Sequence, residues 1–238
     1  MSARIRLYVD QPLGKGQAVS VGADQTHYLT SVMRLGAGET VLLFNGRDGE
    51  WRAELAEVAR RGAIAICAVQ TASQRMPPDL WLLFAPVKRD RTSFMVEKAV
   101  ELGVARLLPV ATRHRNSERL RTDKQQAHAV EAAEQCGATF VPEVAELQPL
   151  DHVLAGWDAT RTLYWCDETR AGQKTAFATS GPAAILIGPE GGFSVDESRH
   201  LAGLPYVTPL ALGPRILRAE TAALAAITLW QAAQGDWR

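Results

Sequence analysis

Near residue 75 the spacing of apolar positions changes character, from short alternating runs broken by glycine turns to buried-looking runs separated by helical periodicity. In the first stretch strands are predicted over Ile5 to Val9, Gln17 to Val21, Val41 to Phe44, Glu50 to Leu55 and Ala63 to Val69. Asn45-Gly46 and Asp48-Gly49 mark a turn between two of them. One helix is expected from Ala23 to Leu35, where Leu29, Val32 and Met33 fall at helical spacing. Several short strands with a single helix suggest a small β-barrel. Thr71 to Asp79, with Pro77-Pro78, reads as a linker, and the boundary is placed between residues 72 and 73.

Beyond the linker, strands and helices alternate. Strands are expected over Leu80 to Ala85, Arg106 to Val110, Thr162 to Cys166, Ala183 to Ile187 and Val207 to Leu212. Helices are expected over Arg91 to Leu102, Thr122 to Cys136, Ser194 to Ala202 and Ala219 to Ala233. That alternation implies an α/β domain with a mainly parallel sheet covered by helices. Asp167 to Gly181 has little periodicity and reads as a mobile loop.

Two loops carry the candidate chemistry. Gly188-Pro189-Glu190-Gly191-Gly192-Phe193 follows the strand ending at Ile187, and Gly213-Pro214-Arg215-Ile216-Leu217-Arg218-Ala219-Glu220-Thr221 follows the one ending at Leu212. Each sits at a strand C-terminus, the edge of an open α/β sheet where ligands bind. Glycines at 188, 191, 192 and 213 remove Cβ atoms that would keep a flat ligand from the backbone. No lysine follows the glycines and no Gly-x-Gly-x-x-Gly follows a strand, so neither a triphosphate nor a dinucleotide motif is present. A planar ligand with little or no phosphate fits better.

Composition narrows the class further. With 47% hydrophobic residues over 238 positions the chain can fill a packed core. It has no apolar run of membrane-spanning length and no signal-peptide core at its N-terminus, which places the expectation in the cytoplasm without a membrane. Cys67, Cys136 and Cys166 are odd in number and far apart, and are read as buried thiols. Scattered histidines leave no metal motif. Formal charge is zero, yet residues 88–124 hold ten Lys/Arg against five Asp/Glu, and residues 125–238 seven against thirteen. A basic middle beside a neutral-ligand pocket suits a polyanionic substrate such as RNA, and a merely solvated charged face is the alternative.

Five ordered blocks then resemble one family: Val87-Lys88-Arg89-Asp90-Arg91, Val96 to Val104, Glu131 to Gly137, Ile187 to Phe193 and Leu212 to Ala222, with His27-Tyr28-Leu29 and Val32 to Gly36 ahead of them. The chain resembles the RsmE family, bacterial 16S ribosomal RNA uracil-N3 methyltransferases of the SPOUT superfamily. The resemblance implies a PUA-like RNA-binding β-barrel over residues 1–72 and a SPOUT α/β methyltransferase domain over 73–238, its C-terminal chain threaded into a trefoil knot. It implies S-adenosyl-L-methionine as cofactor, no metal, a homodimer, and 16S rRNA, within the small ribosomal subunit, as partner. Ile187, Gly188, Glu190, Gly191 and Gly192 would line one side of the cofactor site, and Leu212, Gly213, Ile216, Leu217 and Arg218 another. Relatives often carry arginine where Ala138 stands and Thr-Glu-Arg where Arg113-His114-Arg115-Asn116 stands.

Residue roles follow from the reaction. Methyl transfer to a ring nitrogen is an in-line displacement that requires alignment, and the N3 proton of uracil must be removed or its anion stabilised. Glu190 is a candidate base or a structural residue of its own loop. Arg218 stands at a helix start, where a cation is disfavoured unless it serves a ligand. Glu220 and Thr221 read as helix caps. Lys88, Arg89, Arg91, Arg113, Arg115, Arg119 and Arg121 are candidates for RNA phosphates. A methyltransferase acting on another RNA or base atom, or a non-catalytic RNA-binding assembly protein, are the other readings, and cofactor binding separates them.

Overall fold

A computed structural model describes residues 5–115, 119–173, 176–177 and 181–238. Asn116 and five positions of the Asp167 to Gly181 segment lie outside the described residues. The chain divides into two compact units. The first comprises residues up to Met76 together with Ala133–Val141, and the second Pro77–Ala132 with Pro142–Arg238.

The first unit is a five-stranded sheet of β1 (Arg6–Tyr8), β2 (Ala18–Val21), β3 (Thr40–Phe44), β4 (Glu50–Ala59) and β5 (Gly62–Ala72), ordered β1-β3-β4-β5-β2. β1 runs parallel to β3 and every other pairing is antiparallel. The β4–β5 ladder shifts register at three points, and such bulges bend a sheet around its inner face. Alternation supplies that face: Ala53 and Leu55 of β4, Ala65 and Cys67 of β5, and Val41 and Leu43 of β3 are buried together with Val19 and Leu29. Helix α1 (Ala23–His27) continues as a π turn over Tyr28–Val32. It stops short of Leu35 because Arg34 adopts φ 59°, and the Leu35 N–H returns to the Leu29 carbonyl.

One charged side chain organises this unit. Arg6 Nε pairs with Glu50 at 2.6 Å, and its other nitrogens donate to the carbonyls of Ala133, Glu134 and Ala138 at 2.5, 2.9 and 2.7 Å. Its guanidinium also lies 4.5 Å from the centre of the Phe44 ring. Both partners of the ion pair are largely buried; the guanidinium is compensated by Glu50 and the three carbonyls, and Glu50 also accepts from the Thr71 hydroxyl at 2.7 Å. Ala138 takes part through its backbone carbonyl.

The second unit is a parallel sheet. β6 (Leu80–Phe84) leads to α2 (Arg89–Glu101), β7 (Arg106–Ala111), α3 (Thr122–Cys136), β8 (Glu143–Val144), β9 (Gln148–Pro149) and α4 (Leu150–Ala155). β10 (Thr162–Cys166), β11 (Ala183–Ile187), α5 (Val195–Gly203), β12 (Val207–Leu210) and α6 (Ala219–Ala233) complete it. Strand order is β12-β10-β11-β6-β7-β8, with β9 also beside β7. All five residues of β11 are buried, as a central parallel strand covered on both faces requires. Leu83, Leu163, Trp165, Ala184 and Leu186 pack with Leu150 and Leu154 of α4 and Leu201 of α5, while α2 and α6 pack on each other and α6 on β11.

Chain crossing decides what happens at one edge. β12 passes beyond β11 to pair with β10, and α6 then returns to β11 and α2. After β10 the Gly172 N–H donates to the Gly213 carbonyl at 2.9 Å, and Gln234 at the end of α6 donates to the Phe177 carbonyl at 3.2 Å. This is the knot-like threading the resemblance implies, and alternating periodicity alone does not encode it. The 143–155 segment, with its two short strands and α4, was not anticipated, because two-residue strands carry no period.

Arg6→Ala should destabilise the protein by about 3 kcal/mol, since it strands the Glu50 charge and three carbonyls. Urea unfolding followed by circular dichroism measures it, and a loss under about 1 kcal/mol would contradict this role.

Candidate functional site

Three loops leave the C-terminal edge of the parallel sheet and enclose one cavity: residues 166–171 after β10, 187–193 after β11 and 210–217 after β12. Ile187, Leu210, Leu212, Ile216 and Leu217 give it an apolar side, and Asp167, Glu168, Thr169 and Ser198 a polar one. The adjacency follows from the crossing, because β12 lies against β10 and brings its loop over the loop that β10 begins.

Local chemistry fixes each loop. Asp167 caps a single 3-10 turn, Glu168–Arg170, accepting from the Thr169 N–H at 3.0 Å and its hydroxyl at 2.7 Å, while its own N–H donates to Leu210 at 3.1 Å. The Ile187–Phe193 loop closes through a bond from the Gly192 N–H to the Pro189 carbonyl, then hands over to α5 through a capping box of Ser194 and Glu197. Phe193 folds back, its ring edge-on to Trp165 at 5.9 Å between centroids.

The glycines have internal reasons as well as a ligand-facing one. A Cβ at Gly188 would stand 2.7 Å from the Phe193 ring, and one at Gly192, where φ is +64°, would stand 2.5 Å from Glu168 Oε1. At Gly191 a Cβ would meet His114 at 3.2 Å. At these three positions a side chain would also meet the protein itself: Phe193 of the same loop at 188, His114 at 191 and Glu168 at 192. Gly213 differs, since φ of +87° requires glycine there while nothing stands within 4 Å of a Cβ.

Of the residues expected at the cofactor site, Ile187, Gly188, Gly192, Leu212, Gly213, Ile216 and Leu217 line the cavity. Glu190, Gly191 and Arg218 do not. Glu190 is exposed, with Oε1 in an ion pair 2.5 Å from Arg91 Nη1. Arg218 is the exposed N-cap of α6, with no side-chain hydrogen bond or ion pair among the described residues. Sequence reasoning missed the whole contribution of 165–171, whose irregular spacing gave no signal.

The basic stretch meets the same edge. In the loop after β7 the Arg113 N–H donates to Glu197 Oε1 at 2.8 Å, and His114 Nδ1 lies 3.1 Å from the Gly191 carbonyl. Arg113 and Arg115 are exposed beside these anchors, and Lys88 is exposed at the N-cap of α2. Arg121 is exposed but bound to Asp123 at 2.6 Å, which holds the Asp123 carboxyl down at about 2. Arg119 lies in the same run, and the Arg89 side chain is outside the described residues.

The cysteines correct the expectation of three buried thiols, since Cys136 is exposed and Cys166 half-buried in the cavity wall. Burial pushes the Cys166 thiol up to about 12, which favours the protonated thiol over the thiolate at neutral pH. Among the described residues no group of three or more metal-ligating side chains exists, and no helix is long and apolar enough to cross a membrane. In the native protein at pH 8 a maleimide should therefore label Cys136 and spare Cys166. Equal labelling rates by peptide mass spectrometry would contradict that assignment.

Comparison with known proteins agrees with this geometry. Residues 74–231 match the RNA methyltransferase domain family and residues 21–66 the RNA methyltransferase PUA domain family. The crystal structure of ribosomal RNA small subunit methyltransferase E from Neisseria gonorrhoeae, bound to S-adenosyl methionine, is similar at 28% identity and a TM-score of 0.89, over 98% of this chain and 99% of that one. A putative methyltransferase from Legionella pneumophila, in complex with bound S-adenosylmethionine, is 31% identical with a TM-score of 0.87, over 98% of both chains. Ribosomal RNA small subunit methyltransferase E of Buchnera aphidicola subsp. Schizaphis graminum is 28% identical over 99% of both sequences. The likeness runs along whole chains, and the chain belongs to the RNA methyltransferase family, among the ribosomal RNA small subunit methyltransferase E (RsmE) proteins.

Proposed function

We propose that the chain transfers a methyl group from S-adenosyl-L-methionine to N3 of a uridine in 16S ribosomal RNA, the uracil-1498 position of its family. The carrying observation is the cavity built from the loops after β10, β11 and β12. Its two sides suit the cofactor: apolar Ile187, Leu210, Leu212 and Leu217 fit a flat heterocycle, and the carboxylates of Asp167 and Glu168 fit hydroxyl donors. No lysine or arginine follows the glycines of the 187–193 loop, as expected for a ligand without phosphate.

Once bound, the cofactor supplies an electrophilic methyl group; everything else falls to the chain's own side chains and backbone. The three loops fix the donor's position and exclude water, which turns a bimolecular displacement into an oriented one. Arg218, exposed at the head of α6 with no side-chain hydrogen bond or ion pair among the described residues, is proposed to stabilise the anion formed when uracil loses its N3 proton. Lys88, Arg113, Arg115, Arg119 and Arg121 are proposed to hold RNA phosphates, with Arg113 and His114 anchoring that stretch to the cavity loops. For the first unit, residues 1–72 as the RNA-binding barrel, exposed Tyr28 and Met33, at the two ends of the π turn that follows α1, support base contacts. Exposed Phe94 on α2 and Leu229 on α6 support a homodimer seated on those helices. A cytoplasmic enzyme acting without metal on the small ribosomal subunit completes the reading.

The test is methyl transfer from labelled S-adenosylmethionine to small subunits lacking the modification, with the nucleoside product identified by mass spectrometry. N3-methyluridine is expected from the wild type. Gly213→Val, which forces a branched side chain to φ of +87°, should weaken cofactor binding by about tenfold or more in calorimetry. No product, or a product methylated at another atom, would contradict the proposal.

A further inference from the structure

Arg91 stands apart from the other basic residues of its stretch. It lies in the first turn of α2, and its guanidinium reaches two carboxylates, one on the loop after β11 and one at the head of α6. Nη1 is 2.5 Å from Oε1 of Glu190, in the loop after β11, and Nε is 3.6 Å from Oε1 of Glu220, in the first turn of α6 directly after the loop that follows β12. Arg91 and Glu190 are about one-third exposed and Glu220 only 14% exposed. The second oxygen of Glu220 is buried and has no hydrogen-bond partner among the described residues.

Such a guanidinium is poorly placed to meet an RNA phosphate. Its charge faces two negative charges, so an incoming phosphate would encounter a site that is net negative. Without Arg91, in contrast, two carboxylates on neighbouring loops would face each other, one of them with an oxygen already lacking a partner. Repulsion and desolvation would then act to separate the loops that form the cavity walls.

We infer that Arg91 is a positioning residue, a latch that ties the Glu190 loop to the head of α6 and so sets the cofactor cavity, rather than an RNA ligand. The inference rests on the reading of that cavity as the S-adenosylmethionine site. The latch acts through Glu190 and Glu220, neither of which lines the cavity. It also gives the carboxylate of the Gly-Pro-Glu-Gly-Gly run a role that proton transfer does not: holding its loop against α2 and α6. Arg91→Lys keeps the charge and cannot span both carboxylates with a planar fork, so it separates charge from geometry.

The experiment uses the full-length protein and measures S-adenosylmethionine affinity by calorimetry, the salt dependence of binding to small-subunit RNA, and the thermal midpoint. Arg91→Met should weaken cofactor binding by about tenfold, with Arg91→Lys between it and the wild type. Adding Glu190→Gln to Arg91→Met should recover much of the loss by removing one repelling charge, a rescue that general destabilisation would not produce. The slope of log affinity for RNA against log salt should stay at its wild-type value in Arg91→Met, because no phosphate contact is lost. Wild-type cofactor affinity in Arg91→Met, or a slope reduced by about one, would overturn the latch and return Arg91 to the RNA contacts. A wild-type protein that binds no S-adenosylmethionine would instead overturn the functional reading and the latch with it.

Discussion

The pairing of β12 with β10, not with its predecessor β11, is the constraint on which the rest of the second unit depends. A parallel sheet places every strand's C-terminal end along one edge, but three loops enclose a common space only if they are neighbours there. By passing beyond β11, the chain lays the loop after β12 over the one after β10, and the bond from Gly172 to Gly213 records that contact. The last helix then returns to α2 and β11, so the second wall of the cavity is held by the same crossing that made it. Topology therefore does work that no single residue could do.

Around that crossing, polar groups hold backbone rather than perform chemistry. Asp167 caps its own turn and Glu197 caps α5 while also holding the Arg113 N–H. Glu168 fills the space a Gly192 side chain would take. Arg218, exposed at the head of α6, has no side-chain hydrogen bond or ion pair among the described residues. This division suits methyl transfer to a ring nitrogen, which asks for alignment and one well-placed charge more than for a nucleophile or a metal.

Much of this was legible in the sequence wherever a period or a turn residue carried it. Apolar runs such as Ala183–Ile187 announce buried parallel strands, and the glycine-proline loops announce the edge where a ligand binds. Strand order was not legible, because pairing β12 with β10 depends on contacts far apart in sequence. Nor was the 165–171 wall, whose irregular spacing conceals the cap of Asp167 and the approach of Glu168 to Gly192. The glycines were read as positions that let a flat ligand approach the backbone; that a side chain at 188, 191 or 192 would also meet Phe193, His114 or Glu168 depends on folding and was not legible. Arg91 and Glu190 were each visible as charged residues, and only folding shows that they are partners.

Since the account makes one cavity from three loops that a crossing brings together, the decisive observation is whether a single ligand orders all three at once. Hydrogen–deuterium exchange of the native protein, with and without saturating S-adenosylmethionine, reads this directly. Exchange should slow together in peptides covering 166–171, 187–193 and 210–217, while the buried strand β11 is already protected without ligand. Protection confined to one loop, or appearing only in peptides of the first unit, would contradict the account.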